Sequence, residues 1–124
     1  MVPVYVVGGY IMSRKHAQAW AEKKFSSFVL TKEDFLAFEI RRQLGAKPLV
    51  IPWPKAVRYH RDDMILFITM QQKFNLATCP RPTLRENDTA KLHKQALFGG
   101  MEDELEFLKD LKFVTVIDPY GTHP

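Results

Sequence analysis

The stretch MILFITM, residues 64–70, is apolar at nearly every position and does not alternate strictly. A strand covered on one face alternates apolar and polar side chains. A central strand covered on both faces instead reads as an almost continuous apolar run. Such a segment needs paired neighbours on both sides and material above and below it. The chain is therefore expected to fold around a sheet with this strand inside.

Residues 4–12 supply a second strand, and its apolar character continues through Tyr10, Ile11 and Met12, beyond Gly8 and Gly9. The glycine pair thus lies within the strand. A phosphate-cradling loop would set its glycines between strand and helix, where the first N–H groups of the helix face the anion. Here the expected helix cap is Ser13, and neither G-x-G-x-x-G nor G-x-x-x-x-G-K-[ST] occurs. The pair reads as a bulge, or as a point of close approach by another backbone or a ligand.

After Ser13, the residues Ala17, Trp20, Ala21, Phe25 and Phe28 mark one helical face, opposite Arg14, Lys15, Gln18 and Glu22. Thr31 with Asp34 resembles a capping box for a second helix. Its buried stripe would be Phe35, Leu36, Ile40 and Leu44, and Gly45 with Pro48 would stop it. Leu49 to Ile51 reads as a short strand. PWPKAVRYHRDD, residues 52–63, reads as an extended connector, because proline cannot donate to a central ladder. Residues 75–88 read as a loop and Asp88 as the cap of a helix through Phe98, broken by Gly99 and Gly100. MEDELEFLKDL resumes the helix with Met101, Leu105, Leu108 and Leu111 inside, and FVTVID closes as a strand.

The resulting order, β-α-α-β-β-α-α-β, implies an α+β chain forming a single domain over residues 1–124. Its halves, 1–53 and 64–120, look alike: EDFLAFEIRRQLGAKPLVIPW at 33–53 lies over EDELEFLKDLKFVTVIDPY at 102–120, which suggests a pseudo-repeat. Two halves of this kind give the split β-α-β plan of ferredoxin-like folds, an antiparallel sheet with its helices on one face. A three-layer α/β arrangement is the alternative. In the first plan the other sheet face needs cover from a second subunit or a ligand, so a homodimer is expected.

Cys79 is the one cysteine, so no internal disulfide can form and a cytoplasmic, reducing location is expected. The first residues lack the basic start and apolar core of a signal peptide. No apolar run approaches the roughly 20 residues of a membrane span, so no membrane partner is expected. The net charge of +4 is uneven: residues 1–62 hold eleven Lys and Arg against five acids, and residues 63–124 hold seven against nine. A basic half suits an anionic partner or the acidic face of a second copy.

The histidines, at 16, 60, 93 and 123, show no metal-ligand spacing, and neither metal nor cofactor is expected. Ser13 and His16 fit a helix cap better than a nucleophile with its base. His93 reads as a solvated helix residue and Cys79 as an inert loop thiol. The remaining cluster is Trp53, Arg58, Tyr59, His60 and Arg61, which combines stacking surfaces, cations and an imidazole. It suits an anionic or aromatic ligand or a single-stranded base. With Tyr10, these are the candidate ligand-binding residues.

The expected function is a non-catalytic intracellular binding domain for a protein partner or small ligand. One alternative is a small enzyme of the dimeric α+β barrel type, with Tyr10, Tyr59 and His60 as acid-base groups. Another is a basic nucleic-acid-binding domain, which the sequence supports less because it holds no [KR]-G-[FY]-[GA]-F-V-x-[FY] motif.

Overall fold

A computed structural model of the chain describes residues 3–45 and 52–119. Strand β1 (Val4–Ser13) runs into helix α1 (Arg14–Lys24). A 3-10 turn at Glu33–Phe35 leads into α2 (Leu36–Leu44), and strands β2 (Trp53–Tyr59) and β3 (Asp62–Phe74) follow. Helix α3 (Asp88–Phe98), a second 3-10 segment (Glu106–Asp110) and β4 (Lys112–Ile117) complete the order. The strands form one sheet in the order β2-β3-β1-β4, with every neighbouring pair antiparallel. The chain is therefore of the α+β class. Each helical crossover joins strands that have a third strand between them.

The bulge expected at the glycine pair is present, and the extra residue sits on the opposite strand. Gly8 pairs with Met70 and Gly9 with Ile68, which leaves Thr69 of β3 without a partner. Thr69 is buried, and its hydroxyl donates to the Gly8 carbonyl at 3.3 Å. Ile65 and Phe67 face the helices and Leu66 and Ile68 the other side, so both faces of β3 are buried and MILFITM is apolar nearly throughout; beyond the inserted residue, Met70 takes the helix side. Gly9 makes the approach feasible, since a Cβ there would collide with the Phe67 carbonyl.

All three helices pack on one sheet face. Tyr10, Met12, Ile65 and Phe67 meet Ala17, Trp20 and Ala21 of α1, Leu36 and Ile40 of α2, and Ala90, Leu97 and Phe98 of α3. Trp20 is the hub. Its ring meets Phe25, Phe67 and Phe98 edge to face at 5.7, 5.1 and 5.3 Å, and its indole N–H donates to the Leu97 carbonyl at 3.0 Å. The second face carries Val7, Ile11, Trp53, Val57, Leu66, Ile68 and Val114. Its centre was expected to stay open for a second subunit. Val7 and Leu66 are instead 0% exposed and Ile68 1% exposed within the single chain.

Several local expectations are corrected. The supposed connector 52–63 holds strand β2, the turn after it and the start of β3. Pairing of Trp53 with Ile68 and of Lys55 with Leu66 makes β2 an edge strand and turns Pro54 off the sheet, where its missing N–H costs no ladder bond. The strand expected at Leu49–Ile51 lies outside the described residues. Among the described residues no side chain caps α2, although Gly45 ends it at φ 71° as anticipated. The cap of α3 is Asn87, not Asp88: its side chain accepts from the Ala90 N–H at 2.8 Å. The segment after Gly100 forms turns and a 3-10 helix, not an α-helix. The spacing of Leu105, Leu108 and Leu111 is three residues, the period of the tighter helix.

If the bulge depends on a bare backbone at Gly9, then Gly9→Ala should cost about 3 kcal/mol. Urea unfolding followed by circular dichroism measures it, and a loss under about 1 kcal/mol would show that β3 accommodates the methyl group.

Candidate functional site

The residues grouped by the sequence along 53–61 are separated by the strand they occupy. Trp53, Val57 and Tyr59 lie on the second sheet face, and Arg58 points to the other side. Trp53 is 8% exposed, with the Arg41 guanidinium 5.4 Å and the Lys55 ammonium 5.9 Å from its ring. That stacking surface is already occupied by the chain's own cations. Arg58 lines a cavity of about 290 Å³ with Arg14, Asp34, Ala56, Val57, Asp63 and Met64, where acids and bases are present together. Tyr59 and His60 meet edge to face at 4.2 Å.

His60 and Arg61 form the exposed two-residue turn between β2 and β3. Both hold positive φ, 49° and 70°, as a type I′ turn requires. Asn-Gly suits this turn, and each side chain here costs about 1 kcal/mol of backbone strain. The hairpin thus presents an imidazole and a guanidinium at its tip at a local cost in stability.

Tyr10 stands apart from this cluster, on the helix-covered face. It is fully buried, packs edge to face on Phe113 at 5.4 Å, and has the Lys94 ammonium 5.3 Å from its ring. Its hydroxyl donates to the carboxylate of Glu86, 76 positions away in sequence. Burial first, then the hydrogen bond and the negative charge of Glu86, push its pKa well above the ordinary tyrosine value. A phenol held neutral in this way is a poor general base.

Among the lesser candidates, Ser13 caps α1 by accepting from the His16 N–H at 3.1 Å, and the His16 ring stacks on Phe107 at 4.1 Å. These rings edge a groove of about 420 Å³ floored by Ile11, Met12, Met64 and Leu111. His93 is not simply solvated, because its Nδ1 is buried with no hydrogen-bond partner among the described residues. Cys79 is a partly exposed free thiol in the loop. His123 lies outside the described residues. Within them, no group of three or more His, Cys, Asp and Glu side chains could hold a metal ion.

One surface was not singled out from the sequence. Phe35 and Phe38, three residues apart at the start of α2, are 49% and 54% exposed, and Val29 in the preceding loop is 66% exposed. Lys32 lies 5.8 Å from the Phe35 ring, and Arg41 lies 5.5 Å from that of Phe38. Arg42 is tied to Glu39, its Nε 2.9 Å from a carboxylate oxygen. The available signal was apolar residues on two sides of one helix: Leu36 and Ile40 serve the core, which leaves Phe35 and Phe38 without an internal role.

Fold and surfaces together define an α+β chain with an antiparallel sheet and an aromatic, cation-flanked helix surface. No family model, curated protein or solved structure shows significant similarity to the chain.

Two outcomes are expected. Replacing His60→Asn with Arg61→Gly should stabilise the fold by about 1 kcal/mol in urea titrations, because the backbone strain is relieved. Tyr10→Phe should cost about 1 kcal/mol near neutral pH. The raised Tyr10 pKa contributes stability that is complete below the unfolded value near 10 and is lost as pH rises beyond it. The Tm advantage of the wild type over Tyr10→Phe should therefore be flat between about pH 7 and 9 and shrink above about pH 10. A constant advantage would show that burial and Glu86 do not hold the Tyr10 phenol neutral in the fold.

Proposed function

We propose that this chain is a non-catalytic binding domain on the ferredoxin-like plan, and that it binds a protein segment at the outer side of α2. The supporting observation is the exposure of Phe35 and Phe38 beside each other. Two large rings left half in water cost the free chain hydrophobic free energy that a partner would recover. The cations over these rings favour a segment that sets a carboxylate next to apolar side chains. The sheet order, in which β1 and β2 flank β3 while β3 and β4 flank β1, supports the split β-α-β plan.

Acid-base catalysis is less well supported, since Tyr10 is engaged by Glu86 and His60 sits on an exposed turn. Nucleic-acid binding loses its main stacking residue, because Trp53 is buried beneath Arg41 and Lys55.

A photo-cross-linking amino acid placed at position 38 in cells should capture a defined protein. The same group at Leu92, which is 69% exposed on α3, should not. The captured protein, once purified, should bind Phe38→Ala about tenfold more weakly than the wild type. Equal capture at both positions, or unchanged affinity, would reject the α2 surface.

A further inference from the structure

The two edges of the sheet are finished differently. On β2, the alternation turns Pro54, Ala56 and Arg58 outward, and Pro54 offers no N–H to an incoming strand. Helix α2 also packs beside this edge. On β4, the Asp118 N–H donates to the Tyr5 carbonyl at 2.8 Å. Alternation then turns Val116, Val114 and Lys112 toward β1, and Ile117, Thr115 and Phe113 point their N–H and C=O groups off the sheet. Among the described residues, no other backbone group bonds to these outward positions. From 113 to 117 the edge reads FVTVI, with no proline, glycine or charge. That is the composition sheet proteins ordinarily avoid on a free edge.

We propose that β4 pairs antiparallel with β4 of a second copy of this chain, about a two-fold axis through Thr115. The segment is complementary to itself in that register. Thr115 faces Thr115 of the second copy and exchanges both backbone bonds with it. Phe113 faces Ile117, and the symmetry repeats this aromatic and β-branched pair on the other side. Val114 faces Val116 in the intervening pair. Outward positions meet outward positions throughout, as antiparallel pairing requires. Ile117, 40% exposed in the single chain, is covered by Phe113 of the second copy. The Thr115 side chain stays free to hold Leu84, whose N–H it accepts at 3.0 Å and whose carbonyl it donates to at 3.1 Å, because the pairing uses only its backbone. The product is one continuous antiparallel sheet across two chains.

This inference does not rest on the α2 surface. Its test is hydrogen exchange of the purified protein, resolved by residue, at about 1 and about 200 micromolar. The amides of Phe113, Thr115 and Ile117 should be protected at the higher concentration and exchange freely at the lower one. Those of Val114 and Val116, bonded within the chain, should be protected at both. Sedimentation should show a dimer over the same range, weakened about tenfold by Ile117→Lys and unaffected by Phe38→Ala. A chain that stays monomeric, or a dimer that forms without changing exchange at 113, 115 and 117, would overturn the proposal.

Discussion

The sheet depends on the contact between a bare backbone at Gly9 and the Phe67 carbonyl. A strand keeps its side chains on fixed faces only while its register holds, and one inserted residue exchanges the faces for everything beyond it. Thr69 is that residue. On one side of it, Ile65 and Phe67 face the helices and Leu66 and Ile68 face away; on the other, Met70 takes the helix side opposite Gly8. Without the insertion, either the near or the far part of β3 would present its side chains to the wrong layer. The Thr69 hydroxyl, bonded to the Gly8 carbonyl, satisfies a buried group that the irregularity would otherwise leave unpaired.

The aromatic layer is built on that register. Phe67 reaches Trp20 and Phe98 because it stands on the helix side, and the Trp20 indole then fixes α1 against α3 through Leu97. A tryptophan in a core adds large apolar area and one N–H that must be satisfied. Here the acceptor is a carbonyl in the last turn of α3, a position where helical carbonyls lack an internal partner. One bond thus meets two needs.

Much of this architecture was legible in local pattern. The spacing of Ala17, Trp20 and Ala21 gave α1 its buried face, Gly45 marked the end of α2, and the apolar run at 64–70 marked a central strand. Strand β2 was not legible, because Pro52 and Pro54 argue against a strand in general and are harmless only at an edge; which strand is the edge is a property of the whole sheet. The same limit applied to the site. Trp53, Arg58 and Tyr59 are close in sequence, but an extended backbone sends neighbouring side chains to opposite faces, so Arg58 is turned away from Trp53 and Tyr59, which share the second face. The bond from Tyr10 to Glu86 joins positions with no local relation. Phe35 was expected inside with Leu36, Ile40 and Leu44, yet it stands half exposed beside Phe38, because Leu36 and Ile40 alone are buried in the core.

The two proposed interactions use opposite margins of the molecule. Helix α2 lies beside β2, and β4 is the far edge of the same sheet. Pairing through β4 would leave both α2 surfaces unobstructed, at the outer ends of a sheet whose marginal strands are separated by about 34 Å at ordinary strand spacing. A dimer with its binding surfaces this far apart engages best a partner that repeats its segment at a matching interval, or two chains of one assembly. Single-site affinity could then be weak while the dimer holds firmly, since the second contact forms at high effective concentration. The proline at one edge and its absence at the other would, on this reading, serve the same end: the guarded edge keeps growth from continuing, and the bare edge allows a single closed pairing.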